Sequence, residues 1–98
     1  MAGTAARVGG AVAGALRTIG YAIVAVLLLH IILTLLQANP QNTVAVLISR
    51  LANIFDLGLS NLFLFDDQRI AVALNYGAAA LVWLLITAVL VRLASRIG

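Results

Sequence analysis

Two long apolar runs and one mixed stretch between them set the reading of this chain. From Ile19 to Gln37 every residue is apolar or small except Tyr21, His30, Thr34 and Gln37, and Ile70 to Val91 repeats the pattern with Asn75, Tyr76 and Thr87 as its polar members. At about 1.5 Å rise per residue, each run is long enough to cross about 30 Å of hydrocarbon as a helix. Between them, Asn39 to Phe65 carries polar residues at Asn42, Ser49, Asn53, Asp56 and Ser60, with Val46 filling the missing place. Those steps alternate four and three, which at about 100° per residue gathers them on an arc of roughly 60°. Arg50 and Asn61 fall at its margin. The pattern predicts an all-α membrane protein: a transmembrane helix over about 18–37, an amphipathic helix over about 40–64, and a second transmembrane helix over about 68–92 in an antiparallel hairpin.

Punctuation agrees with these boundaries. Ala38-Asn39-Pro40 ends the first helix, because the residue before proline is pushed out of the α region and proline lacks an N–H. Asn39 with Pro40 behind it, or Asn42 before Thr43, can cap the middle helix. Phe65-Asp66-Asp67-Gln68-Arg69 is a polar turn in which either aspartate can cap the last helix.

The middle helix has three possible placements: on the outer interface, across the membrane as a third span, or buried with its stripe against a partner. Charge argues against a third span, since Arg50 and Asp56 would each cost about 2.5–3.5 kcal/mol near the bilayer centre. With two spans, Arg7, Arg17, Arg92 and Arg96 share one side, and Arg50 and Arg69 share the other with all three aspartates. By the positive-inside rule both termini are then cytoplasmic and residues 38–69 external. A surface helix usually carries a broad basic face, whereas this stripe is thin, so the helix is expected in the plane of the outer interface and sunk deep, with Gly58 as its breaking point.

Composition narrows the class. Of 98 residues, 64% are hydrophobic and 9% charged, too apolar for a soluble core to hide. The absence of cysteine removes disulfides, thiolate metal sites and cysteine nucleophiles. The net charge of +3 comes from scattered arginines, which form no nucleic-acid patch. All basic residues are Arg and all acidic ones Asp in an Ala-, Val- and Leu-rich chain, a composition suggesting a high-GC bacterial genome and hence a bacterial cytoplasmic membrane. Met1 to Thr18 has the look of a signal-peptide start, but the apolar run after it exceeds a secretory h-region and no small-residue cleavage site precedes Pro40.

Candidate sites are few. Gly10, Gly14 and Gly20 offer a small-residue face on the first helix, and Ala73, Gly77, Ala80, Leu84 and Thr87 form a seam on the second. Ser49, Asn53, Asp56 and Ser60 of the stripe are the other expected partner-binding residues. His30 has two readings: a haem ligand or proton relay, or a neutral imidazole hydrogen-bonded to a neighbouring helix. From their depths His30 can meet Asn75 or Tyr76, and a hydrogen bond there would pin the helix register. Trp83 lies too deep for an aromatic belt and is expected to pack. Asp66 and Asp67 lack the further oxygens a Ca²⁺ or Mg²⁺ site needs. With one histidine, no Glu and no Cys, no nucleophile and base stand at useful spacing, so neither enzyme activity, metal nor cofactor is expected.

The order span, Asn-Pro turn, amphipathic helix and span, carried by LLQANPQNTVAVLISRLANIFDLGLSNLF, resembles one repeat of the YggT-type small membrane proteins. That family usually shows an Asp-Pro turn, basic residues in the middle helix and an Asp-x-Ser-Pro before the next span, all absent here. NYGAAALVWLL is also similar to a segment of small two-span proteins of high-GC Gram-positive bacteria. These features lead to the expectation of a noncatalytic accessory subunit, held in lipid against larger integral membrane subunits of an energy-transducing (respiratory) or transport complex. The alternative is a homo-oligomeric pore or proton carrier using His30 and the stripe.

Overall fold

The computed structural model describes residues 2–96, which form three helices: α1 (Ala2–Leu35), α2 (Thr43–Ile54) and α3 (Gln68–Ser95). Two of them, over Gly3–Leu35 and Gln68–Ser95, are long and apolar enough to cross a membrane. α1 begins far earlier than the expected residue 18, because the Ala-rich segment ahead of it favours helix. Its inner face is also covered, with Gly9 and Ala13 buried.

α1 and α3 lie against each other with contacts that step in opposite directions. Gly20 sits on Thr87, and ten residues further along α1 the His30 ring meets Tyr76. A Cβ at Gly20 would come within 2.8 Å of Thr87 Cβ and closer to its Oγ1 and Cγ2, so only glycine allows this approach. Buried positions then recur by sevens: Ala13, Gly20 and Leu27 on α1, Ala80, Thr87 and Ala94 on α3. A 3.5-residue repeat is the signature of shallow-angle packing between long helices. The small-residue seam of α3 is divided between the inner face and the surface. Ala80 and Thr87 face inward, but Ala73 and Gly77 are only half-buried and Leu84 is exposed. Val72, Asn75, Tyr76 and Ala79 take the inner face instead, since Asn75 and Tyr76 have polar partners there.

α1 ends at Leu35, just ahead of Asn39-Pro40, in a left-handed turn at Gln37 (φ 57°). Ala38 N–H donates to Leu33 O at 2.9 Å and Gln37 N–H to Thr34 O at 3.1 Å, the paired bonds that close a helix C-terminus. Asn42 caps α2, its Oδ1 accepting from the N–H groups of Val44 (2.9 Å) and Ala45 (3.3 Å). Replacing Asn42 by alanine leaves those donors open, and we expect a loss of about 1 kcal/mol, read as a lower unfolding midpoint in detergent with Asn42→Ser close to wild type.

α2 stops at Ile54, ten residues short of the expected end near 64. Leu57 (φ 57°) and Gly58 (φ 75°) both adopt left-handed backbone, and Asp56 Oδ1 accepts from Gly58 N–H at 2.9 Å. The polar periodicity thus continues past the helix itself: Asp56 and Ser60 belong to the non-helical segment that follows. Nor does α2 lie across the end of the long pair, as an in-plane helix would. Trp83 Nε1 donates to Phe55 O at 2.7 Å, and Trp83 lies about 24 Å along α3 from its cap Asp67 at 1.5 Å per residue. Allowing the Trp side chain about one turn of backward lean, α2 descends alongside α1 for most of its length, and residues 55–67 climb back up beside α3.

Asp67, not Asp66, caps α3, accepting from Arg69 N–H at 2.9 Å. That backbone bond, ahead of the guanidinium of Arg69 itself, holds the exposed Asp67 carboxyl below the usual carboxylate range.

Candidate functional site

The returning segment has no regular backbone pairing, and α3 supplies the substitute. Asn75, 2% exposed, accepts from Phe63 N–H at 2.7 Å and donates through Nδ2 to Ser60 O at 2.8 Å and Phe63 O at 3.0 Å. One buried amide therefore satisfies three backbone groups of a segment that has no regular pairing of its own. Lower down, Trp83 holds Phe55 O and also packs edge-on against the Phe55 ring, centroids 5.9 Å apart. The expected packing role of Trp83 thus includes a hydrogen bond. Trp83→Phe keeps the ring contact but leaves a carbonyl unpaired; we expect a cost of about 1–3 kcal/mol, measured by denaturant titration with helicity as the readout.

Above Trp83, the hydroxyl of Tyr76 donates to Asn53 Oδ1, joining α3 to α2. His30 packs against the Tyr76 ring at 4.6 Å between centroids and 74° between planes. The proximity expected of His30 and Tyr76 is present. Among the described residues, however, no hydrogen bond joins His30 to Tyr76 or Asn75, because both spend their polar atoms on α2 and the returning segment.

Two cavities flank this arrangement. The larger, about 650 Å³, is walled by His30 and Thr34 of α1, Ser49 and Asn53 of α2, and Asn61 and Gln68 from the other side. The smaller, about 410 Å³, shares His30, Thr34 and Ser49 and adds Pro40, Val46 and Arg50. Below the Tyr76–Asn53 bond the chain is closed: Leu27, Ala52 and Ala79 are wholly buried. Among the described residues, no three His, Cys, Asp or Glu side chains stand close enough to share a metal ion.

The remaining sequence-derived residues divide by place. Gly10, Gly14 and Gly77 have open space where a Cβ would be, so within the chain they carry no close packing; Gly20 alone among the three N-terminal candidates does. Ser49 lines both cavities, Asn53 bonds Tyr76, Ser60 lends its carbonyl to Asn75, and Asp56 turns onto Gly58. Arg7, Arg17, Arg92 and Arg96 are exposed, and the opposed contacts of α1 and α3 put them at the same end of the pair. The backbone-holding roles of Asn75 and Trp83 were not apparent from the sequence; the available signal was a donor-bearing side chain in each of two places inside an apolar run. Compared with family models, curated proteins and solved structures, the chain matches none.

Proposed function

We propose that the chain is a noncatalytic subunit of a bacterial cytoplasmic membrane assembly, in which α1 and α3 form an antiparallel transmembrane hairpin and α2 with residues 55–67 dips in from the external side. The positive-inside distribution supports this orientation, with Arg7, Arg17, Arg92 and Arg96 cytoplasmic. The observation that carries the assembly reading is the depth of the bottom of the dip. Phe55 is held by Trp83, and Asp56 follows it, half-exposed beside the left-handed Leu57 and Gly58. In a bilayer that level lies near the centre, where a carboxylate costs about 2.5–3.5 kcal/mol on insertion scales and non-helical backbone is tolerated only under protein or beside water. A neighbouring subunit offering a donor or cation to Asp56 removes both penalties. The exposed Gly10 and half-buried Gly14 on α1 and the half-buried Ala73 and Gly77 on α3 give such neighbours close backbone approach.

A second reading shares the same observation: copies of this chain cover one another and bring His30, Asn53 and Asp56 to a shared polar path. One experiment separates the two. A tagged chain extracted in mild detergent and weighed by native mass spectrometry is expected to carry larger integral membrane subunits, and Asp56→Leu to release them. A homo-oligomer supports the second reading, and a lone monomer overturns both.

A further inference from the structure

We propose that the larger cavity binds an uncharged headgroup bearing hydroxyl or carbonyl oxygens, delivered from the lipid phase. Its volume of about 650 Å³ lies in the range of small-molecule sites. Its walls hold no Arg and no Asp; Arg50 faces the neighbouring cavity instead. A phosphate or ammonium headgroup entering here would give up water and find no counter-charge. Hydrogen-bonding capacity, by contrast, is unspent: among the described residues the side chains of His30, Ser49, Asn61 and Gln68 make no hydrogen bond within the chain. Each of these side chains offers a donor, and hydroxyl or carbonyl oxygens can accept from all of them.

Shape points the same way. The Tyr76–Asn53 bond and the buried Leu27 and Ala79 close the floor, so the cavity ends blind, as a binding site does and a conduit does not. Phe63 and Phe65 form part of the wall, and between them Leu64 is 87% exposed, giving an apolar lip over which a hydrocarbon tail can leave. Two kinds of molecule present this chemistry in a membrane: neutral glycerides and lipid-soluble quinones. The inference rests on the membrane placement proposed above, not on the assembly.

The test uses the full chain in neutral detergent micelles, titrated with dioctanoylglycerol, decylubiquinone and, as the anionic control, dioctanoylphosphatidylglycerol. Binding is followed by NMR shifts of the His30 ring and the Gln68 side-chain amide. At least one uncharged probe is expected to saturate, and the tighter of the two identifies the source. Asn61→Leu and Ser49→Leu should each weaken it about tenfold, the worth of one hydrogen bond, while Arg50→Gln leaves it unchanged. Asn61 is exposed and unbonded, so its variant decides the matter if Ser49→Leu misfolds. Saturation by neither uncharged probe, equal binding of the anionic lipid, or an indifferent Asn61→Leu overturns the proposal. Native mass spectrometry of the same preparations reads assembly separately, so either reading can fail without the other.

Discussion

Gly20→Val is expected to unseat the pairing of α1 with α3. A Cβ there meets Thr87 Cβ within 2.8 Å, and Thr87 is buried, β-branched and too short to swing aside. The helices must separate or slide, and overpacking of this kind costs about 1–3 kcal/mol or more. The absence of natural cysteine makes the measurement direct. Ala13 and Ala94 are both buried seven residues from the Gly20–Thr87 contact, so the pair Ala13→Cys and Ala94→Cys should cross-link readily in the parent chain. Adding Gly20→Val should lower that yield several-fold, and adding Thr87→Gly to the valine variant should restore much of it. Unchanged cross-linking would mean that the close contact is not what sets the helix register.

Asn75→Leu is the second large effect, and it is expected to act elsewhere. The substitution keeps the branching at Cγ, with a somewhat larger side chain, but strips Phe63 N–H, Phe63 O and Ser60 O of their partner. Each unsatisfied buried group costs about 1–3 kcal/mol, so the total should reach about 3 kcal/mol even after some recovery by water. The expected result is rapid amide exchange and protease cleavage across residues 56–66, with the Ala13–Ala94 cross-link intact. Loss of both together would show instead that the returning segment and the long pair are one cooperative unit.

Much of the helical layout was legible in the residues themselves. Asn42 and Asp67 mark the starts of α2 and α3, because a short acceptor side chain ahead of apolar periodicity has one favourable use. The apolar runs likewise gave both long helices, though not the N-terminal reach of α1, where abundant glycine hides an Ala-driven helix. The end of α2 was harder. Asp56 and Ser60 keep the four-three spacing after the helix has stopped, and only Gly58 hinted at the break, whereas nothing about Leu57 announces a positive φ. The site was legible as a neighbourhood and misread in its bonding. Depth counting brought His30 to Tyr76, but counting along two helices could not reveal that a third segment would fold between them and claim Asn75, Tyr76 and Trp83.

Both side chains that hold residues 55–63 in place, Asn75 and Trp83, belong to α3, which leaves the ribosome after α2. On the two-span reading, α2 is therefore made before its anchors exist. It waits at the external surface as an amphipathic helix, the state its stripe suggests, and sinks only once α3 has inserted. On that reading biogenesis has a docking step distinct from translocation, and a chain truncated before Asn75 should stall with α2 still lying on the membrane.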